Sequence, residues 1–142
     1  MAEIIVNAKD SIVGRFGTFA AKRALRGDEI KIVNCEKAII TGSKAEIFKK
    51  FHKLRKYMGK PVKGPFVSRL PDRFVRRMIR GMLPYKQERG KNAFARIMCY
   101  TGIPEELKDK KIIQVEKSNI SKVKIIKYIT IQDLCRKLGG KI

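Results

Sequence analysis

Four arginines near the middle of the chain have the types and spacing needed to bind an extended anion. Arg73, Arg76, Arg77 and Arg80 follow one another at i, i+3, i+4 and i+7, so a helix would place their guanidinium groups along one stripe. Like charges on one stripe repel each other unless an anion lies against them. The planar donor fork of arginine matches phosphate oxygens. The pattern favours nucleic-acid binding over its alternative, a merely solvated basic face.

More basic residues flank this stripe on both sides. The residues predicted to bind nucleic acid are therefore Lys60, Lys63, Arg69, Arg73, Arg76, Arg77, Arg80, Lys86, Arg89 and Lys91. Three prolines and two glycines interrupt residues 59–71, which predicts an extended segment able to follow a groove. Within this basic region, Tyr57, Phe66 and Tyr85 could stack on unpaired bases, although each could equally anchor a loop or the core.

The overall charge points to the same partner. The 142-residue chain has a net charge of +21, and residues 44–91 hold sixteen Lys and Arg against three Asp and Glu. A small domain normally carries a net charge of about 2–8 in magnitude. A polyanion that relieves the self-repulsion on binding explains such an excess, with nucleic acid as the leading candidate and an anionic membrane surface as the other.

Signatures of catalysis are missing from the sequence. No P-loop pattern occurs, and Gly14-Arg15-Phe16-Gly17 has the wrong spacing for a dinucleotide-binding turn. His52 is the only histidine, and no close pair of carboxylates suggests an acid–base dyad or a metal cage. We therefore expect no enzymatic activity, no cofactor and no metal. The runner-up class, a basic nucleic-acid enzyme on a Rossmann-like core, would need one of these features.

The apolar segments and the cysteines predict a cytoplasmic protein. No apolar run approaches the roughly 18–20 residues needed to span a bilayer, and the first residues lack the pattern of a secretory signal. Cys35, Cys99 and Cys135 are odd in number and far apart, so we expect reduced, partly buried thiols. A membrane-surface protein would need a helix with a broad exposed apolar face. The apolar stripe of residues 44–58 is better explained by a core contact.

Strands and helices alternate over the first sixty residues, which predicts an α/β domain with a small parallel sheet. Asp10 or Ser11 is expected to cap the first helix, Ser43 with Glu46 to form a capping box, and Thr130 to cap the last helix. Predicted strands span 3–7, 29–34, 38–41 (where a loop fits nearly as well), 97–101 and 128–129. Predicted helices span 12–26, 44–58, 71–83, 88–96 and 131–138.

Several short motifs resemble a known family. They are Asp10-x-x-x-Gly14-Arg15, Val33-Asn34-Cys35-Glu36-Lys37-Ala38, Thr41-Gly42, Arg76-Arg77-Met78-Ile79-Arg80-Gly81-Met82-Leu83-Pro84, Lys86, Arg89-Gly90, Tyr100-x-Gly102-x-Pro104 and Tyr128-Ile129-Thr130-Ile131. Over essentially its whole length, the sequence resembles the large-subunit ribosomal protein thirteen family. Bacterial members carry a histidine-containing segment after the Met-Leu-Pro motif. Residues 85–90 here read Tyr-Lys-Gln-Glu-Arg-Gly, which indicates the archaeal and eukaryotic type.

The resemblance implies a fold and a function. The fold would be a three-layer α/β/α domain over residues 1–142, with a four-stranded, mostly parallel sheet and a basic RNA-binding insertion projecting at about 59–92. The protein would bind large-subunit ribosomal RNA, contact neighbouring large-subunit ribosomal proteins and support early subunit assembly. It would be ribosome-bound in the cytoplasm, with no enzymatic activity, membrane partner or small-molecule substrate.

Overall fold

A four-stranded parallel sheet lies at the centre of the computed structural model, which describes residues 2–56, 62–124 and 126–141. In chain order the strands are β1 (Glu3–Asn7), β2 (Glu29–Val33), β3 (Ile39–Thr41), β4 (Ile97–Cys99), β5 (Ile112–Ile113) and β6 (Tyr128–Thr130). The helices are α1 (Val13–Leu25), α2 (Lys44–Lys56), α3 (Pro71–Arg80), α4 (Glu88–Ala95) and α5 (Ile131–Lys137). The central sheet has the order β4-β2-β1-β5, and β3 pairs with β6 in a separate antiparallel ribbon.

Strands β1 and β2 form because each is a short run rich in β-branched residues, which suits a strand covered on both faces. Ile4 pairs with Ile30 and Val6 with Ile32, and β4 extends the same register through Ile30 and Ile97. Together, Val6, Ile30, Ile32 and Ile97 have no exposed surface. The middle of the sheet is therefore the rigid base on which the helices rest.

The sheet separates two apolar clusters. The larger one joins Val6 and Ile32 to buried residues of α1, α3, α4 and α5. The smaller one, on alternate residues of the same strands, contains Ile5 and Val33 and is covered by Leu107 of a short 3-10 turn. Helices on one face and this turn on the other confirm the predicted three-layer α/β class, with a thin third layer.

Hydrogen bonds join the loops at the carboxyl end of the sheet, and they involve residues of the short family motifs found in the sequence. Asn34 adopts a left-handed conformation with φ of 57°, and its side-chain amide donates to the Asn7 side chain at 3.0 Å. The buried carboxylate of Glu36 accepts a hydrogen bond from the Gly102 amide at 3.0 Å. These motif residues therefore hold the loops that follow β1, β2 and β4.

Several local predictions are confirmed and others are wrong. The Thr130 hydroxyl accepts from the Asp133 amide at 3.3 Å, as expected for the cap of α5. Neither Asp10 nor Ser11 caps α1: the residue before that helix is Ile12, and it makes no side-chain cap. The Ser11 hydroxyl donates instead to the Lys9 carbonyl, because an extended Ile12 separates Ser11 from the helix.

The boundaries of the predicted insertion can be compared only in part. Helix α3 ends at Arg80 rather than near Leu83, with a turn at Gly81–Leu83 leading into Pro84. Residues 57–61, including the predicted end of α2, lie outside the described residues. Phe74, Val75 and Ile79 of α3 belong to the main core. Helix α3 is thus anchored in the body, while residues 62–70 run along the surface without regular structure.

Candidate nucleic-acid interface

Helix α3 presents the arginine stripe because its other side is apolar and buried. Pro71 at the first helical position and Asp72 in the first turn favour helix initiation here. Phe74, Val75 and Ile79 are at most 2% exposed, so the orientation of the helix is fixed. Arg73 and Arg77 then point into solvent, while Arg76 and Arg80 are half-buried. The structure brings all four predicted arginines to one side of the molecule.

Arg76 differs from its neighbours because its guanidinium group is already engaged by the protein. Its Nε donates to the Ile97 carbonyl at 2.9 Å and its Nη2 to the Phe94 carbonyl at 3.2 Å. The guanidinium carbon also lies 4.0 Å from the centre of the Phe94 ring. The Phe94 carbonyl belongs to the last turn of α4, where carbonyl groups lack helical partners and attract cations. Arg76 therefore joins α3 to α4 and β4.

Arg77 and Arg80 lie close together on the surface. Partial burial, and then repulsion by Arg80, lower the pKa of Arg77 below its ordinary value. The Arg80 guanidinium stacks 4.5 Å from the centre of the Tyr85 ring. Lys86 lines the same groove of about 400 Å³ as these two arginines. Two crowded guanidinium groups beside a lysine form a setting in which a phosphate would relieve repulsion.

Three of the surface grooves formed by the described residues adjoin α3, and Arg77 lines each of them. A groove of about 270 Å³ is lined by Arg73, Arg76, Arg77 and Arg80, with Phe66 and Phe94 contributing aromatic rings. Arg77 also lines the groove beside Tyr85. It lines a third, mostly apolar groove of about 350 Å³ against α2 as well. The arginine stripe is thus continuous with concave surface on both of its sides.

The segment 62–70 is held against the body at several points. The Arg55 guanidinium of α2 donates to the Val67 carbonyl. A Cβ atom added at Gly140 would lie 2.6 Å from the Arg69 carbonyl oxygen, so the C-terminal residues pack directly on this segment. The Arg69 side chain shares a groove of about 230 Å³ with Arg55 and Lys56. Burial, followed by repulsion from Arg69, lowers the pKa of Arg55.

The turn after α3 is held in a similar way. Gly90 is buried in α4, and a Cβ atom at this position would lie 2.0 Å from the Pro84 carbonyl oxygen. Only glycine allows the backbone of residues 84 and 85 to approach the helix this closely. The close approach positions Tyr85 and Lys86 beside Arg80. Gly90, part of the Arg-Gly motif, is therefore needed to shape the interface.

The other predicted residues are less closely associated. Lys63, Arg89 and Lys91 are exposed and line none of the four grooves described above. Lys60 lies outside the described residues. Sequence inspection left Lys50 and Arg55 of α2 out of the predicted site, although both line these grooves. A usable signal was present, because Arg55 follows Phe51 by four residues and so adjoins the apolar stripe of α2.

The described residues contain no cluster suited to holding a metal ion. No group of three or more His, Cys, Asp or Glu in this part of the chain could hold a metal ion. All three cysteines are buried, and none of them forms a disulfide. Burial raises the pKa of Cys135 to about 12, and the neighbouring Cys99 thiol, then burial, raise that of Cys35. The thiols of Cys35 and Cys135 are therefore poor nucleophiles. Within the same residues, no helix has the length and apolar character to cross a membrane.

Fold and surface together define a small, basic α/β domain whose most distinctive feature is an arginine-lined face. The family model described as "Ribosomal protein L13" matches residues 2–106. The large ribosomal subunit protein uL13 of Methanococcus maripaludis is 45% identical over 141 residues, covering 97% of this chain and 98% of the relative. The uL13 protein of Methanococcoides burtonii is 42% identical over 137 residues, covering 96% and 98% respectively.

The chain belongs to the ribosomal protein L13 family. The resemblance drawn from short motifs is confirmed, including its archaeal type, since Archaeoglobus fulgidus also supplies a relative that is 40% identical over 137 residues. Members of this family are structural proteins, so the prediction that the chain is not an enzyme is confirmed as well. The nucleic-acid enzyme considered as the runner-up is thereby excluded.

Proposed function

We propose that this chain is a structural constituent of the large ribosomal subunit. It binds large-subunit ribosomal RNA through the exposed arginines of α3, contacts neighbouring ribosomal proteins and supports early subunit assembly. The relatives named as large-subunit proteins support the first part of this proposal. A cytoplasmic, ribosome-bound location follows from the same assignment. Residues of the predicted insertion, about 59–92, would form most of the RNA-binding surface.

The observation that carries the RNA-binding proposal is that, among the described residues, the Lys and Arg side chains of the basic segments around α2 and α3 form no ion pair. Among the described residues, the ion pairs join Arg23 to Asp28 and Glu3 to Lys31 and Lys110. None of these pairs includes a basic side chain from residues 44–56 or 62–91, the two most basic parts of the described chain. Many basic side chains that lie close together without acidic partners are suited to binding an external polyanion.

The exposed arginines would place more than one donor on phosphate oxygens. Arg73 and Arg77 are exposed, and Arg80, which stacks on the Tyr85 ring, is half-buried. A hydrogen bond to a charged group contributes about 1.5–3 kcal/mol. Losing two such contacts, about 3–6 kcal/mol, would weaken binding by roughly 100-fold to more than 10⁴-fold.

The test replaces Arg73, Arg77 and Arg80 together with glutamine. A matched control replaces the exposed Lys108, Lys111 and Lys122 with glutamine, which removes the same charge outside residues 62–91. We expect filter binding to transcribed large-subunit ribosomal RNA to weaken strongly in the arginine variant and far less in the lysine variant. Equal weakening in both would show that net charge, rather than this face, governs binding. Unchanged affinity in the arginine variant would refute the proposed surface.

A further inference from the structure

The groove between α2 and α3 differs in its lining from the two arginine-lined grooves beside α3. It lies between α2, residues 65–68 and α3, and its volume is about 350 Å³. Most of its lining is apolar, and two cations, Lys50 and Arg77, are also part of it. We call it the Phe66 groove, and its lining residues are Lys50, Phe51, Leu54, Pro65, Phe66, Val67, Ser68, Phe74, Arg77, Met78 and Gly81.

The aromatic floor of this groove is already organised. The rings of Phe51 and Phe74 meet edge to face with centroids 5.0 Å apart. Phe74 is buried, whereas Phe51 is only partly covered. The Lys50 ammonium lies 5.6 Å from the centre of the Phe51 ring. A flat, apolar group entering here would meet aromatic carbon below and positive charge at its edge.

The wall of the groove is an exposed phenylalanine on a fixed segment. Phe66 is 73% exposed, although burying a phenylalanine side chain would stabilise the free protein by about 1.5–3 kcal/mol. The neighbouring Val67 carbonyl accepts a hydrogen bond from Arg55, and Arg69 packs against Gly140. The segment therefore presents the Phe66 ring to solvent.

Phe66 and Arg77 together link the apolar groove to the arginine stripe. Both residues line the Phe66 groove, and both also line the adjacent groove that contains Arg73 and Arg80. A ligand that fits this arrangement has a flat apolar part joined to an anionic part. An unpaired nucleotide has this chemistry, because its base can stack on an aromatic ring while its phosphates bind arginine.

Building on the proposed function, we propose that the Phe66 groove binds the base of one looped-out nucleotide of the RNA. The base stacks against Phe66 above the Phe51 ring, and Arg77 and Lys50 hold the flanking phosphates. A paired base would not reach Phe66, because a duplex presents its bases stacked inside the helix. The arginine face then supplies affinity for the backbone, and the groove selects a site containing an unpaired base.

The test compares three RNA duplexes of identical flanking sequence. One carries a single bulged adenosine, one carries an abasic bulge, and one is fully paired. Fluorescence anisotropy with the full-length protein should show roughly 5- to 100-fold tighter binding of the bulged adenosine than of the abasic bulge, as expected for one base stacked on an aromatic ring. The preference should vanish in Phe66→Ala and persist in Phe66→Tyr.

A matched control lies in the same segment. Val62 is 83% exposed and is not part of the lining, so Val62→Ala should keep the full preference. Equal binding of the three duplexes by the wild-type protein would overturn this inference and leave the arginine face intact. So would Phe66→Ala weakening all three duplexes alike, since the ring would then act on the fold. Binding of none of the RNAs would refute the proposed function itself, and the inference with it.

Discussion

The guanidinium carbon of Arg76 lies 4.0 Å from the centre of the Phe94 ring, and this contact joins helix α3 to helix α4. Two hydrogen bonds from the same guanidinium reach the carbonyl groups of Phe94 and Ile97. One arginine of the predicted stripe thus stabilises the scaffold that presents the other three. Its neighbours Arg73 and Arg77 face solvent.

We predict that Arg76→Gln destabilises the protein and that Arg73→Gln does not. Glutamine cannot reproduce two charge-assisted hydrogen bonds and the ring contact, whose loss should cost about 2–4 kcal/mol. Thermal unfolding should show a fall of roughly 6–15 °C for Arg76→Gln. The melting temperature of Arg73→Gln should stay within about 2 °C of wild type. Similar melting of both variants would mean that the Arg76 contacts contribute little.

The same arginine shows where sequence inspection reaches its limit. Helical spacing correctly placed four arginines on one side of α3, because periodicity along a helix is a local property. It could not separate Arg76 from Arg73, because the partners of Arg76 are carbonyl groups about 20 residues further along the chain.

Long-range pairing limited the prediction of the sheet in the same way. β1 and β2 were found because each spans five residues and three of the five are Ile or Val. β5 was missed because it has two residues, which is too short for a periodic signal. The pairing of β3 with β6 was also not predicted, since the register of Ile40 with Ile129 joins distant parts of the chain.

Gly90 supplies a second prediction about the scaffold. A glycine-to-alanine change inside a helix normally stabilises a protein by about 0.4–1 kcal/mol. At Gly90 the new Cβ atom would lie 2.0 Å from the Pro84 carbonyl oxygen, so the backbone must shift. We expect Gly90→Ala to lower the free energy of unfolding by about 1–3 kcal/mol. The measurement is urea denaturation.

Gly14 provides the matched control for this prediction. It lies in α1, is exposed, and has no atom within 4 Å of an added Cβ. Gly14→Ala should therefore leave the free energy of unfolding unchanged or raise it slightly. If both variants shift stability in the same direction, the close approach of Gly90 to Pro84 does not matter in solution.

Glu3 supplies a prediction about pH. Hydrogen bonds from Lys110 and then Lys31 lower the pKa of Glu3 from 4.5 to about 2. A carboxylate with a lowered pKa stabilises the folded state above its unfolded pKa and loses that contribution as the pH falls. The contribution of Glu3 should therefore be complete above about pH 4.5 and disappear toward pH 2. In urea unfolding, the difference between wild type and Glu3→Gln should shrink across this window.

Lys110→Gln tests the assigned cause of this pH dependence. Lys110 lies 2.8 Å from Glu3 and is the larger of its two influences. Removing it should move the acid transition of Glu3 upward in pH and reduce the effect of Glu3→Gln at neutral pH. A difference that stays constant from pH 7 to about pH 2 would show that the ion pair does not form in solution.

The last prediction concerns the salt dependence of RNA binding. Phosphate contacts release condensed counterions, so the affinity falls with salt in proportion to the number of phosphates neutralised. If residues of the basic face neutralise about 6–10 phosphates, affinity for duplex-like RNA should fall by roughly 10³–10⁵ between 50 and 200 mM salt. Replacing Arg73, Arg77 and Arg80 with glutamine should reduce the slope by about one for each lost contact. Replacing Phe66 with alanine should leave the slope unchanged, because a stacked base releases no counterion. A nearly flat dependence for the wild-type protein would show that binding does not rest on phosphate contacts, and an unaltered slope in the arginine variant would place those contacts on other residues.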